Sequence, residues 1–254
     1  TLLTNWNGIG NRSMTDASAE RAVFSVILPT TNSITEPDMS ALRPPGVSNQ
    51  SYRFTLDRRP DNVVALIDLL KPAITSAQDC QPDRLILGYT SEFLPNGIHV
   101  ANQLKELVEG IIECPLTMAS YAIPEALKAF DLNRIGVITP YLLEEDIHVE
   151  QFFSSLNFSV IKVVGLSSDR QRLTGTASIT KDKVETAFEI VDNSDVEALV
   201  QIGTNLSCTG IVASLEEKHG KPVIAVNTAT YWLALRRHGI TDKMTGHGIL
   251  FEQH

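Results

Sequence analysis

Cysteine is scarce in this chain. It has three in 254 residues, Cys80, Cys114 and Cys208, odd in number and scattered. That pattern excludes a disulfide framework and a thiolate zinc site, and reads as a reducing, cytoplasmic setting. No His-x-x-x-His or Cys-x-x-Cys pair is present to offer a metal its ligands, so no metal is expected. No Gly-x-Gly-x-x-Gly follows an apolar run, so the dinucleotide signature is missing too. No stretch approaches the ~18 apolar residues of a membrane span. The polar opening from Thr1 to Glu20 lacks the basic start and apolar run of a signal peptide. There is no Lys/Arg run, and 21 basic residues stand against 30 acidic ones, a formal charge of −9. Nucleic-acid and anionic-membrane partners are thereby disfavoured. A small anionic ligand is not, because such ligands are often held by hydroxyls and backbone N–H groups. The state of oligomerisation is left open.

What is present is an ample apolar content, 43% of residues, in alternating strand-like and helix-like segments. Expected strands are Val23–Leu28, Tyr52–Thr55, Asp83–Gly88, Cys114–Ala119, Arg134–Thr139, Ser159–Val164, Val196–Ile202 and Pro222–Val226. Expected helices are Asp61–Ala77, Gly97–Ile112, Ala122–Ala129, Glu144–Leu156, Thr180–Asn193, Thr209–His219 and Thr228–Arg237. Val64, Leu66, Ile67, Leu70 and Ile74 form the apolar stripe of the first helix. The fold class is α/β, with mostly parallel sheets flanked by helices.

An internal repeat refines this. Val26-Ile-Leu-Pro-Thr-Thr resembles Val137-Ile-Thr-Pro-Tyr-Leu. Leu85-Ile-Leu-Gly-Tyr-Thr-Ser resembles Leu199-Val-Gln-Ile-Gly-Thr-Asn, and Cys114-Pro-Leu-Thr-Met-Ala-Ser resembles Lys221-Pro-Val-Ile-Ala-Val-Asn. A period of about 110 residues is too long for a solenoid. It points to two pseudo-symmetric lobes facing each other across a cleft. The expected organisation is a tail over 1–21, a first half over 22–133 and a second over 134–254.

Ligands of open parallel sheets sit beyond the carboxyl ends of the strands. The repeat places four polar loops there: Thr30–Ser33, Tyr89–Ser91, Thr139–Tyr141 and Gly203–Asn205. Each joins an apolar strand to a helix, combining hydroxyls with helix-start N–H groups. Capping alone also explains one such loop, but four related in pairs and facing each other would suit a small molecule with two acidic ends.

At these loops the chain resembles a known family. Leu28-Pro-Thr-Thr-Asn-Ser-Ile-Thr-Glu-Pro37, Arg134-Ile-Gly-Val-Ile-Thr-Pro-Tyr141 and Gly246-His-Gly-Ile-Leu-Phe251 are similar to the maleate isomerase and arylmalonate decarboxylase branch of the Asp/Glu/hydantoin racemase superfamily. The likeness runs from Val23 to Phe251. It implies a cofactor-free and metal-free enzyme that stabilises an enolate or enediolate with hydroxyls and amides, using one or two cysteines as acid, base or nucleophile. It also implies that Asn32, with Thr31 beside it, Thr90, Ser91 and Tyr141 bind substrate, with amides of Gly203, Thr204 and Asn205.

Both thiol positions depart from the pattern, one being Tyr89 and the other Gly203. Cys208 lies five positions beyond the second. With no thiol in place, decarboxylation is the chemistry that persists most easily, since it asks mainly for a desolvated carboxylate, a stabilised dioxyanion and a proton donor. Tyr89 and Tyr141 are donor candidates, Glu92 a base if buried, and Cys208 a displaced thiol. The leading expectation is a decarboxylase- or isomerase-like enzyme of small carboxylates or dicarboxylates. The alternatives are a hydrolase or lyase that uses the pocket as an oxyanion hole, and a carboxylate-binding paralogue without chemistry. His99 and His247 are weaker candidates for cleft contacts.

Overall fold

A computed structural model describes residues 19–56, 62–166 and 175–254. Most of the expected tail therefore lies outside the described residues. Its last member, Arg21, donates from its backbone N to Gly46 O at 2.8 Å and pairs with Asp242.

The chain builds two four-stranded sheets. The first contains β1 (Ala22–Pro29), β2 (Val47–Phe54), β3 (Arg84–Leu87) and β4 (Leu116–Met118), in the order β2-β1-β3-β4. The second contains β5 (Arg134–Thr139), β6 (Ser159–Gly165), β7 (Ala198–Gln201) and β8 (Val223–Ala225), in the order β6-β5-β7-β8. Every pairing is parallel. The two orders are the same, as the repeat anticipates.

Nine helices occur among the described residues: α1 (Thr35–Ala41), α2 (Val63–Gln78), α3 (Gly97–Glu109), α4 (Ala119–Ala129), α5 (Leu143–Ser155), α6 (Lys181–Val191), α7 (Val212–His219), α8 (Val226–Arg237) and α9 (Ile249–Gln253). Asn62 caps α2 by accepting from Ala65 N at 2.9 Å, which satisfies one of the free amides of the first turn.

Three local expectations change. Val64 does not belong to the buried stripe of α2 and is 64% exposed. The buried face is Leu66, Ile67, Leu70, Ala73, Ile74 and Ala77, a 3.6-residue spacing that leaves Val64 on the outer side. Strand β2 is longer than expected, because Val47-Ser-Asn-Gln-Ser51 is a polar, half-buried edge with no apolar run to reveal it. The short helix α1 had no apolar periodicity to betray it, only Thr35-Glu-Pro at its first turn.

The halves are joined by one continuous core. Val26, Leu28 and Ile86 of the first sheet share it with Val137 and Val200 of the second. Between them lie α4 and α8, which pack on each other; α8 also touches α1, β3 and β4, and α4 touches β8. Ten consecutive residues of α8, Val226 to Leu235, are buried. Such a helix reads as apolar or small all round because it has no solvent face.

In each sheet the chain leaves the first strand toward one neighbour and the third toward the other. The switch points therefore fall between β1 and β3, and between β5 and β7. This geometry brings the four polar loops to the carboxyl ends of adjacent strands.

Candidate active site

Two loops from opposite halves are stitched together side chain by side chain. Asn32, 3% exposed, accepts from Ile34 N and Thr35 N at 3.0 Å each and so starts α1. Its amide donates to Thr35 Oγ1 at 2.9 Å and to Thr204 Oγ1 at 3.1 Å. Ser33 N donates to Asn205 Oδ1 at 3.0 Å, and Asn205 Nδ2 donates to Thr31 O at 3.3 Å. Thr204 Oγ1 reaches Gly88 O at 3.3 Å, carrying the network to the third loop. The side chains of Asn32 and Asn205 thus fasten loops to each other, while Thr31 takes part through its backbone carbonyl.

The remaining two loops meet at Tyr141. Its hydroxyl lies 3.2 Å from Thr90 Oγ1, and a Cβ built on Gly203 would stand 3.6 Å from it. Asn32, Thr90, Tyr141 and Thr204 are therefore members of one connected cluster.

Glu92 lies against the same group. Its residue is 1% exposed, and Oε2 has no hydrogen-bond partner. The carboxylate accepts from its own N–H, from the Thr90 hydroxyl and from Ser91 N–H, yet burial dominates and raises its pKa from 4.5 to about 7. Burial, followed by the charge of Glu92, holds the Tyr141 hydroxyl well above the usual phenol range. No Lys, Arg or His among the described residues contributes to either shift. The result is a carboxyl group that exchanges its proton near neutrality beside a phenol that keeps its own.

The other predicted residues are placed as follows. Tyr89 is 7% exposed, packed edge-on between Phe54 and Phe93 at ring distances of 6.1 and 6.4 Å, and close enough to Tyr141 to affect it electrostatically. Ser91 turns its hydroxyl away from Tyr141, donating to Gly97 O at 2.8 Å beside Ser120 Oγ at 3.3 Å. Gly203 has φ +88°, and a Cβ there would meet Pro140 Cγ at 2.3 Å. No other residue type sits in that conformation without strain. The position where the resemblance led one to expect a second thiol thus has no room for a side chain.

Cys208 is not brought to this group. It is buried with Phe188, Leu199, Leu206 and Val212 in a separate apolar cluster. Burial, then the charge of Asp38, pushes its thiol up, away from the reactive thiolate. Glu36 pairs with Arg53 on the surface, and His99 is exposed. The tail around His247 is tied down by Glu216, which accepts from Ile249 N at 2.8 Å and from Val223 N at 3.1 Å. The tail thus lies along α7, where Gly248 packs against Val212 and Glu216.

Four contributors escaped the sequence reading. Asn227 donates to Thr204 O at 3.0 Å and to Asp38 Oδ2 at 2.8 Å. Asp38, pushed up by burial against these bonds, also accepts from Thr209 at 2.9 Å. Gln201 holds the last loop by donating to Gly203 O at 3.0 Å, and Asp146 accepts from Thr139 Oγ1 at 2.9 Å. The repeat held a signal for one of them. Asn227 aligns with Ser120, and each reaches the equivalent loop of its own half. Among the described residues no three His, Cys, Asp or Glu are grouped to hold a metal, and no helix is long and apolar enough to cross a membrane.

Two parallel sheets of the same strand order, flanked by helices and meeting at polar loops, define a racemase-like α/β protein. The arylmalonate decarboxylase family model matches residues 84–251, and the chain belongs to that family. It is 23% identical to a Nocardia farcinica maleate isomerase over 246 residues, 91% of this chain and 95% of that one. A solved variant of the Nocardia farcinica maleate cis-trans isomerase, carrying a covalently bound succinylcysteine intermediate, superposes with a TM-score of 0.79; the match covers 91% of this chain and 98% of that one at 23% identity. An arylmalonate decarboxylase variant in a sulfate-associated form superposes at 0.76, with 18% identity and coverage of 91% and 100%.

Proposed function

We propose that this chain is a cofactor-independent enzyme acting on a small carboxylate through an enediolate or related oxyanion, in the manner of an isomerase or decarboxylase. Family membership supports the class of chemistry. The observation that carries the residue assignment is the buried Glu92 carboxyl, with one unpartnered oxygen and a pKa of about 7, against Thr90 and Tyr141.

The Thr90 hydroxyl has one proton. When it gives that proton to Glu92, it accepts from Tyr141, forming a line from phenol to hydroxyl to carboxylate. Bound substrate draws the Tyr141 proton toward its own developing oxyanion. The dry surroundings make this donor worth far more than in water. As carboxylate, Glu92 takes a proton from the substrate α-carbon, and the C–H pair moves into the carboxyl group to form the enediolate. As acid, Glu92 returns a proton to a carbanion left by loss of carbon dioxide, whose C–C pair moves the same way. A group near pKa 7 populates both forms at neutral pH. Glu92 thus takes the place first offered to Tyr89, whose ring is held between Phe54 and Phe93 as a wall of the site.

The test is solvent-deuterium incorporation and turnover over a panel of malonates, maleate and small monocarboxylates. Exchange at a carbon next to a carboxylate is expected. Tyr141→Phe should lower it about 10²–10³-fold, the usual cost of losing one oxyanion donor, while the melting temperature barely moves. Glu92→Gln should abolish it. Binding of panel members with no exchange or turnover would make the chain a carboxylate-binding protein and refute the proposal.

A further inference from the structure

The polar loop after β7 is gripped by a carboxylate that stands outside the proposed chemistry. Gly203 O accepts from Leu206 N at 3.0 Å, which closes a β-turn with Thr204 and Asn205 at its centre. The carbonyl of that central peptide, Thr204 O, accepts from Thr35 Oγ1 at 2.9 Å and from Asn227 Nδ2 at 3.0 Å. Asn227 is 1% exposed and also donates from Nδ2 to Asp38 Oδ2 at 2.8 Å. The same carboxylate oxygen accepts from Thr209 Oγ1 at 2.9 Å. Thr35 and Asp38 belong to α1 in the first half, and Asn227 to α8 in the second, so both halves meet on one carbonyl. We infer that Asp38 is a positioning residue: through Asn227 it holds the Thr204–Asn205 peptide with its carbonyl toward α1 and α8, which keeps the Asn205 N–H among the donors offered to a bound anion. This rests on the site assignment made above and adds the group that keeps this loop in a donating form.

The central peptide of a β-turn has two orientations. No peptide among the described residues is cis, so the Asn205 N–H points opposite to the Thr204 carbonyl. Asn205 does not have positive φ, as in a type I turn; turning the peptide over gives type II, which needs positive φ at Asn205. Asparagine tolerates that conformation better than most residues. The turn's own sequence therefore leaves both forms open, and the flipped one puts a carbonyl oxygen where an anion needs a donor. Ionised Asp38 can only accept, so it dictates which end of the Asn227 amide faces it, and the two Nδ2 protons are divided between Asp38 and Thr204 O. A neutral Asp38 weakens that bond and frees the Asn227 amide to turn its oxygen against Thr204 O. The groups around Asp38 are few. On α1, Glu36 turns outward to Arg53; on α8, Tyr231 donates to Asn49 at 3.0 Å; ahead of α7 lies Cys208, whose thiol feels the Asp38 charge. No Lys, Arg or His among the described residues contributes to the shift of Asp38, and burial raises its pKa above the ordinary carboxylate value. Anion binding should therefore weaken as the pH falls through that raised pKa.

Succinate is the probe, a saturated dicarboxylate with no double bond to turn and no carboxyl group that leaves readily. Its affinity should be measured by calorimetry from pH 4.5 to pH 8 for the unmodified protein, Asp38→Asn and Tyr141→Phe. At pH 8 Asp38→Asn should bind succinate about tenfold more weakly than the unmodified protein, the worth of one charge-assisted hydrogen bond. The two affinities should converge as the pH falls through the Asp38 pKa, since the titrations of Glu92 and of succinate are common to both and cancel in the ratio. A second measurement needs no variant to fold: in the unmodified protein the Asn205 amide resonance should titrate together with the Asp38 carboxyl carbon. Equal affinities at pH 8, a deficit in Asp38→Asn that stays constant with pH, or an Asn205 amide that ignores the Asp38 titration overturns the inference. A constant deficit would make Asp38 a structural residue only. If succinate binds and weakens in Tyr141→Phe but is indifferent to Asp38, the inference fails alone. If succinate does not bind, or Tyr141→Phe leaves its affinity unchanged, the site assignment fails with it.

Discussion

Replacing Glu92 by glutamine should make the protein more stable at alkaline pH while stopping its chemistry. Burial raises this carboxyl from 4.5 to about 7. Between those values the unfolded chain has released the proton and the folded chain still holds it. Folding then takes up a proton, and raising the pH favours the unfolded state. The stabilisation is complete below about 4.5 and is lost as the pH rises through about 7. At 1.36 kcal/mol for each pKa unit, the loss amounts to about 3 kcal/mol. Because the residue is 1% exposed, solvent screening does not erode that figure. Urea unfolding of both proteins from pH 4.5 to pH 8.5 reads the effect directly. The stability of Glu92→Gln relative to the parent should climb by about 3 kcal/mol across the range, other carboxylates cancelling in the difference. Two curves that stay parallel within about 0.5 kcal/mol, the scatter of an inconsequential surface change, would show that Glu92 titrates normally. The acid–base role assigned to it would then go.

Cys208→Ser should lose about 1–3 kcal/mol of stability, because a hydroxyl replaces a thiol inside an apolar cluster. Turnover should persist, and an alkylating reagent should leave the folded protein active at pH 8. Rapid inactivation by the reagent would put the thiol back in the site. Gly203→Ala should cost about 2–4 kcal/mol, since the backbone has φ +88° and the new Cβ would press on Pro140. It should also lower turnover by moving the Pro140–Tyr141 loop. Parent-like melting and turnover together would show that the loop is not packed as described.

Much of the architecture was legible because it is written in local pattern. Apolar runs ending in Pro29, Gly88, Pro140 and Gly203 marked four strand ends, and Arg134–Thr139 matched β5 residue for residue. The three paired segments pointed to two similar α/β lobes, and the two sheets share one strand order. The same pattern failed where it was weak: at the polar edge strand β2, at the seven-residue helix α1, and at Val64, whose apolar side chain faces water.

The site divides along the same line. That Tyr89 and Gly203 stand where thiols are expected comes from the family resemblance; that four polar loops follow four strands is local information carried by the residues themselves. What the polar groups do in those loops is not. Asn32, Thr204 and Asn205 face one another across a junction between distant segments, and the hydroxyl of Ser91 turns toward α3 and α4. Cys208 points into the packing of α6 and α7, because the turn before α7 starts its side chain on that face. Glu92 differs most from its appearance in sequence. In isolation it is one more acidic residue at a loop before a helix. Only burial within the folded chain, beside Tyr141 whose ring lies tilted 4.9 Å from Phe93, removes water from its carboxyl and raises its pKa to about 7. Sequence determines which groups can ionise; burial by residues far along the chain determines the pH at which they do.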